Sequence, residues 1–296
     1  MSAAQASGPP QTSASQESGP LRVLTDARYL AVRAIRESVR QPGVEITNVF
    51  IPLFFLAVST GAIANFSERG FGVENYLAFQ LPVAVLQAVA GSSAASGIAI
   101  VLDMERGYFD KLLLTPASRW SIIIGRVWAD AVRAIFFASI MLIAALVAGS
   151  GMASGVPGAI LILVIAGLFG GAYSGIGIFI AMRTGNAQAA QAGFLLFFPL
   201  LFMAPAFAPL AVFDDWLRII ATINPVTYIM EGMRGLVMEG YAWPVTEGGQ
   251  IVFGEDGLPK TKPPPALHWA FVSLAGFSVF TLTIAALALR ARTRAD

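Results

Sequence analysis

Residues 159–182 read AILILVIAGLFGGAYSGIGIFIAM, a stretch without a charged side chain. An α-helix rises ~1.5 Å per residue, so this stretch would be ~36 Å long and would exceed the ~30 Å hydrocarbon core of a bilayer. Backbone polar groups in hydrocarbon must be satisfied within the chain, which favours a helix over irregular structure. The stretch therefore predicts a transmembrane helix.

Similar apolar stretches recur along the chain. The six predicted spans are 46–66, 76–102, 122–149, 159–182, 187–212 and 267–289. Pro199, Pro205 and Pro209 fall in the fifth, so we expect it to be kinked or to end before Ala206. The predicted fold is an all-α polytopic membrane protein, with one transmembrane domain over residues 21–296.

The composition agrees with a membrane protein and excludes several functions. Hydrophobic residues make up 56% and charged residues 12%, whereas about a quarter of a soluble domain is charged. A net charge of +1 offers no basic surface for nucleic acid. The chain has no cysteine and one histidine, and its carboxylates are scattered, so neither a metal site nor a catalytic group is predicted.

The distribution of the 19 Lys and Arg residues predicts the orientation. With a cytoplasmic amino terminus, 14 of them lie in inner segments and five in outer segments, which satisfies the positive-inside rule. Both termini are then cytoplasmic, residues 1–20 form a disordered tail, and 213–266 are external. The many alanine, glycine and arginine residues suggest a GC-rich bacterial genome, and hence the bacterial inner membrane.

Two cytoplasmic segments are not spans. Residues 25–41 alternate apolar residues with arginines at helical spacing, which predicts an amphipathic helix in the membrane interface. That helix is either a topology anchor or also a surface for a cytoplasmic partner. The loop from Asp103 to Pro116 reads DMERGYFDKLLLTP, which is too charged for a span and too apolar for a plain linker. It predicts a short cytoplasmic helix that ends at Pro116.

This loop and a second motif resemble the type-2 permeases of ABC exporters, particularly the daunorubicin-resistance branch. The first match consists of Asp103, Glu105, Gly107, Leu112, Leu113, Pro116 and Arg119. The second is the run from Asn224 to Arg234, NPVTYIMEGMR, in the external segment. The resemblance covers roughly residues 22–294 and the same six-span layout.

The resemblance implies a role for each motif. The residues implied to couple to an ATPase are Asp103, Glu105, Arg106, Gly107, Asp110, Lys111, Leu112, Leu113, Pro116 and Arg119. Those implied at an extracellular gate of re-entrant helices are Asn224, Pro225, Tyr228, Glu231 and Arg234. Apart from the resemblance, Phe194, Phe197, Phe198 and Phe202 make the fifth span aromatic. They either line the path of an amphiphilic substrate or face lipid and the core.

The implied function is the permease subunit of an exporter for a drug, lipid or glycolipid. No Gly-x-x-x-x-Gly-Lys-Ser/Thr motif is present, so ATP and Mg²⁺ would bind to a separate ATPase, in two copies. The other implied partners are a second permease, identical or paralogous, and membrane lipid. The alternatives are a polysaccharide-exporting permease, an ion-coupled secondary transporter or a membrane-embedded enzyme.

Charged and small residues inside the spans give further hypotheses. Asp130 and Arg133, like Glu231 and Arg234, are three residues apart and are expected to pair, in either a structural or a functional role. Small residues at 91–97 and 167–177 predict close helix packing or a substrate-lining surface. Residues 241–265 predict a surface loop or small hairpin.

Overall fold

The computed structural model describes residues 20–40, 42–71, 73, 75–114, 119–244, 246–247, 250–252, 261–262 and 267–295. Most of these residues are helical. The helices are α1 (Pro20–Val39), α2 (Pro42–Phe71), α3 (Tyr76–Glu105), α4 (Tyr108–Leu113), α5 (Arg119–Val147), α6 (Gly155–Thr184), α7 (Ala187–Leu195), α8 (Phe197–Phe202), α9 (Asp215–Ile223), α10 (Pro225–Val237) and α11 (Leu267–Ala295). A 3-10 turn at Leu210–Val212 lies between α8 and α9. The predicted tail falls almost entirely outside the described residues.

Short strands lie between α10 and α11. Strand β1 (Trp243–Pro244) pairs antiparallel with β4 (Thr261–Lys262), and β2 (Thr246–Glu247) pairs antiparallel with β3 (Gln250–Ile251). Of the two alternatives predicted for 241–265, a surface loop or a small hairpin, the described residues show the hairpin pairing, between β2 and β3.

Five helices in the described part of the chain are long and apolar enough to cross a membrane. Their apolar segments are Glu45–Ser67, Tyr76–Glu105, Trp120–Val147, Gly155–Thr184 and Leu267–Arg292. They coincide with five of the six predicted spans.

The predicted fifth span is instead divided between α7 and α8, which together cover Ala187–Phe202. At ~1.5 Å per residue their combined length is ~24 Å, which is less than the ~30 Å thickness of the hydrocarbon core. Pro199 has no amide hydrogen to donate to the carbonyl of Leu195, the residue at which α7 ends. Pro205 lies in the turn after α8, so the helix also ends before Ala206, as the prolines predicted.

Helix α3 forms the centre of the bundle and packs against α2, α5, α6 and α7. It meets α6 through glycines: a Cβ on Gly97 would lie only 2.5 Å from the carbonyl oxygen of Gly177. The small residues therefore allow close helix packing within the chain. Helix α2 is peripheral, since only 17% of the residues in its apolar stretch are buried, against 72% of those in the apolar stretch of α3.

The two ends of the bundle are defined by contacts between helix termini. At the α1 end, Arg33 of α1 pairs with Asp103 of α3, and Arg292 of α11 donates to the Met182 carbonyl of α6. At the α10 end, the amide of Ala153 donates to the carbonyl of Val237. The cation-rich segments predicted to be on the inner side meet at the α1 end.

The chain between α6 and α9 passes from one end to the other. Ala187 packs in the apolar cluster at the α1 end, which includes Phe109 and Leu289. At the α10 end, the Ala206 carbonyl accepts from Arg234 and the Phe207 carbonyl accepts from Tyr76. The broken segment and the turn after it therefore traverse the bundle.

Candidate functional site

The first candidate site is the connection between α3 and α5 at the α1 end. Helix α3 ends at Glu105, and the chain turns at Gly107, whose φ is 64°. This angle lies in the left-handed region, which glycine adopts without a steric penalty. The short helix α4 follows, so the helix predicted in this loop is confirmed. Phe109 of α4 is buried against the bundle.

The outward side of this connection is open to solvent. Glu105 and Lys111 are exposed, and Leu114, just after α4, is 87% exposed. Leu112 is half-buried. Asp110 and Leu113 belong to α4 and Arg119 opens α5, whereas Pro116 lies outside the described residues.

Helix α1 is fastened to this connection by charge pairs. Arg33 donates to both carboxylate oxygens of Asp103, at 2.6 and 3.3 Å, and its guanidinium lies 3.7 Å from the centre of the Tyr108 ring. Arg106 lies 3.6 Å from Glu37. Burial lowers the pKa of Arg33, but the hydrogen bond and charge of Asp103 outweigh this effect, so the pKa of Arg33 is raised overall. Helix α1, the end of α3 and α4 thus form one unit. We call it the coupling surface after the role that the sequence predicts for it.

The second candidate site is a buried ion pair at the α10 end. Arg234 and Glu231 are both fully buried and lie 2.6 Å apart. Arg234 also donates to the carbonyl of Phe79 at 2.9 Å and lies 3.5 Å from the centre of the Phe79 ring. Tyr241 donates to the other oxygen of Glu231 at 2.7 Å. This group, the α10 cluster, links α10 to α3 and to the chain before β1.

The Tyr241 hydroxyl remains a donor to this cluster. Burial raises the pKa of Tyr241 well above its usual value, and the charge of Glu231 raises it further, while Arg234 acts in the opposite direction. A phenol with a raised pKa is neutral throughout the physiological range.

The other residues of the second motif form the helix junction before this cluster. Asn224 caps α10 by accepting from the amide of Val226, and its side-chain amide donates to the carbonyl of Leu200. Pro225 occupies the first position of α10, where its missing donor costs nothing. Tyr228 donates to the carbonyl of Thr222 in α9. The junction therefore fixes α9, α10 and α8 relative to one another.

Both motifs lie inside one family match. Residues 25–238 match the ABC-2 type transporter family, which accounts for well over half of the chain. The chain belongs to this family. The match includes the coupling surface from residue 25 onwards. Of the α10 cluster it includes Phe79, Glu231 and Arg234, whereas Tyr241 lies just beyond it.

Curated relatives of this ABC-2 type chain carry transport names. It is 27% identical over 199 residues to the daunorubicin resistance ABC transporter permease protein DrrB1 of Streptomyces coeruleorubidus, covering 64% of this chain and 66% of the relative. It is 29% identical over 218 residues to the putative transport permease ycf38 of Cyanophora paradoxa, covering 70% and 72%. It is 23% identical over 194 residues to the probable doxorubicin resistance ABC transporter permease protein DrrC of Mycobacterium tuberculosis, covering 65% and 69%.

A third polar group of this ABC-2 type permease lies within the bundle. Arg133 of α5 donates to Glu45 of α2 at 2.8 Å and to Asp130 at 3.4 Å. Nearby on α5, Arg126 donates to the Ser96 hydroxyl of α3 at 2.8 Å. The predicted pair of Asp130 and Arg133 is confirmed, and Glu45 is a partner that sequence reasoning missed.

The predicted substrate-lining phenylalanines separate into two groups. The rings of Phe194, Phe198 and Phe202 form a row with successive centroids 5.2 and 6.2 Å apart. The row continues through Phe207 towards Phe55 of α2. Phe197 is fully buried and packs on Phe169 and Tyr173, and it meets the row only through Phe198, at a centroid distance of 6.5 Å. Contact with a substrate stays a prediction for all four.

A separate apolar groove of about 790 Å³ opens between α8, α10 and α11. Its walls include Leu200, Trp269 and Phe277. The hydroxyl of Ser273 donates to the carbonyl of Pro225, and that of Tyr228 donates to Thr222, so both are already engaged. The volume of this apolar groove is within the ~300–1,000 Å³ typical of small-molecule sites.

Proposed function

We propose that this chain is the membrane-spanning permease of an ABC exporter and is driven by a separate ATPase. The observation that carries the proposal is the coupling surface at one end of the bundle. There α1 is joined to the end of α3 and to Arg106 by ion pairs, and to α4 by the stacking of Arg33 on the Tyr108 ring. Because α3 is the central helix, a displacement of α4 by a docked partner is transmitted to the core of the bundle.

The partner is inferred to be an ABC ATPase in two copies, with a second permease copy or a paralogue completing the complex. The exposed Leu114 and the charged residues around α4 suit a helix held in the groove of another protein. ATP and Mg²⁺ would bind to that ATPase, since this chain has no phosphate-binding loop in its sequence.

The cargo is inferred to be hydrophobic or amphipathic: a drug, a lipid or a glycolipid. The phenylalanine row and the apolar groove both offer apolar walls with few polar groups, which favours hydrocarbon or aromatic moieties over sugars. The drug-resistance names of two relatives support the same class.

Six crossings of the inner membrane, with both termini in the cytoplasm, are the topology that we propose. The broken segment α7–α8 would be the fifth crossing, because the chain traverses the bundle there. Helices α9 and α10 would dip into the outer leaflet and close the exit side, and α1 would lie in the inner interface.

Ion-coupled transport is disfavoured by the pairing of the buried acids. Asp130 and Glu231, the two most buried carboxylates of the described residues, each lie beside an arginine three residues further on. Coupling to an ion would need an unpaired acid within a span, and neither of these two carboxylates is unpaired.

The proposal is tested by separating docking from membrane insertion. In the reconstituted complex with its ATPase, Glu105→Ala combined with Leu114→Ser should lower ATP-dependent efflux at least about tenfold, the effect of losing ~1.4 kcal/mol of binding. The amount of permease in the membrane should be unchanged. Arg183→Ala, an exposed change at the same end of the bundle, is the matched control. Full efflux in the double variant would refute docking through α4.

A further inference from the structure

A second cavity, of about 740 Å³, lies at the α1 end along the exposed face of α1. Five guanidinium groups and one carboxylate line it: Arg28, Arg33, Arg36, Arg40, Arg106 and Glu37. We refer to this cavity as the arginine groove. It is separate from the apolar groove and from the phenylalanine row.

Most of the positive charge in the arginine groove is not neutralised. Arg33 is held by Asp103, and Glu37 lies 3.6 Å from Arg106 and 4.0 Å from Arg33. Within the parts of the chain that the structure describes, no carboxylate lies within 4.0 Å of Arg28, Arg36 or Arg40. An anion is therefore the complementary occupant.

The position of the arginine groove is that of a lipid headgroup. Arg40 closely precedes the apolar segment of α2, which begins at Glu45. At Gly125 a Cβ would lie 2.8 Å from the Ala27 carbonyl, so α1 is packed directly against the beginning of α5. The short connection to α2 and the contact with α5 both place α1 beside the beginnings of spans, where we expect the boundary between hydrocarbon and water.

Apolar side chains lie beside the arginines. Tyr29 is 68% exposed and Val32 is 41% exposed, and both line the same groove. A tyrosine among cations is typical of membrane interfaces, where anionic headgroups attract basic segments. Cations with apolar groups between them match the phosphate and the adjoining carbons of a lipid, and a protein occupant is the alternative that the test below separates.

We propose that the arginine groove binds the phosphate of an anionic glycerophospholipid from the leaflet at the α1 end. Arg36 and Arg40, four residues apart, donate to phosphate oxygens, for which the planar guanidinium is well suited, and Arg28 adds to the positive potential of the groove. Tyr29 and Val32 contact the glycerol and the first acyl carbons. Arg106 borders the groove and directly follows Glu105, so a bound headgroup also steadies the coupling surface.

The test measures lipid preference on the full-length permease. Purified protein is equilibrated with mixed micelles containing equal amounts of phosphatidylglycerol and phosphatidylcholine, and retained lipids are counted by native mass spectrometry. The wild type should prefer phosphatidylglycerol. Arg36→Gln combined with Arg40→Gln should reduce that preference by about fivefold per arginine removed, because each interfacial cation contributes ~1 kcal/mol.

The matched control removes the same charge elsewhere at the α1 end. Lys111 and Arg183 are exposed there, outside the arginine groove, and Lys111→Gln with Arg183→Gln should leave the preference unchanged. Equal losses in both double variants would show diffuse surface charge and overturn the proposal. A variant that is unstable in phosphatidylcholine is replaced by Arg36→Lys with Arg40→Lys, which keeps the charge and should lose only the bidentate part of the preference.

A second measurement needs no variant. Phosphatidylglycerol carrying a diazirine near the beginning of an acyl chain is photolysed with the wild type, and the adducts are mapped. Adducts should concentrate in the peptide that contains Tyr29 and Val32. The lipid assignment would be refuted if the wild type showed no preference for phosphatidylglycerol. It would also be refuted if the Arg36→Gln, Arg40→Gln variant co-purified with less ATPase while its lipid preference was unchanged.

Discussion

The fully buried side chain of Arg234 donates to Glu231 and to the backbone carbonyls of Phe79 and Ala206. Arg234→Met should destabilise the protein by ~3–5 kcal/mol, because it leaves the Glu231 carboxylate buried without its counter-charge. Thermal unfolding in detergent or nanodiscs measures the effect.

A second ion pair, in α9, supplies the control. Arg218 and Asp215 are also three residues apart, but Asp215 is 90% exposed, so its charge remains hydrated without a partner. Arg218→Met should therefore have a much smaller effect. Equal destabilisation by the two substitutions would contradict the argument from burial, and Glu231→Gln added to Arg234→Met should restore part of the lost stability.

Single residues also mark the limit of sequence-based prediction. The pairs Asp130–Arg133 and Glu231–Arg234 were predictable because each lies on one helix, where a spacing of three places side chains together. The partners Glu45 and Phe79 lie 88 and 155 residues from Arg133 and Arg234. No local pattern in one sequence specifies which distant helices touch. The only available signal was that a charge within a span needs a partner.

At the scale of helices, the sequence predicted both the location and the cause of the main irregularity. The prolines after residue 195 indicated a kink or an early end, and the structure has a break and an early end. Length and hydropathy could not predict the outcome fully, because Pro52 and Pro82 lie inside continuous helices α2 and α3. Whether a proline interrupts a helix depends on the packing around the carbonyl that it leaves without a donor.

The crossing of α3 and α6 at Gly97 and Gly177 gives the prediction for helix packing. Because the Cβ of Gly97→Ala would collide with the backbone of α6, which cannot move aside as a side chain could, the substitution should destabilise the protein by roughly 1–3 kcal/mol. Gly61→Ala in α2 is the control, since a Cβ there meets nothing within 4 Å. It should be neutral or slightly stabilising, as alanine has the higher helix propensity. Retention of wild-type thermal stability by Gly97→Ala would mean that the two helices are not in close contact.

At the scale of the whole molecule, the uneven distribution of arginine predicted which segments meet at one end. Helix α1, the α3–α5 connection and the ends of α6 and α11 do meet there. The side of the membrane on which this end lies depends on the bilayer and on insertion, so it stays a prediction of the positive-inside rule. The same holds for the fifth crossing, where the helix alone is too short to span the hydrocarbon.

The orientation of the bundle and the fifth crossing can both be tested with single cysteines, because the chain has no cysteine of its own. Arg69, Arg183 and Asp215 are exposed and lie at the end of α2, the end of α6 and the start of α9. In intact cells a membrane-impermeant maleimide should label Arg69→Cys and Asp215→Cys, and it should label Arg183→Cys only after permeabilisation. Since Arg183 and Asp215 flank α7 and α8, labelling on opposite sides requires the chain to cross the membrane between them. If Arg183→Cys and Asp215→Cys were labelled from the same side, the chain would cross the membrane five times, and its carboxyl terminus would lie on the side opposite to the prediction. If Arg69→Cys were labelled only after permeabilisation, the orientation of every span would be the reverse of the prediction.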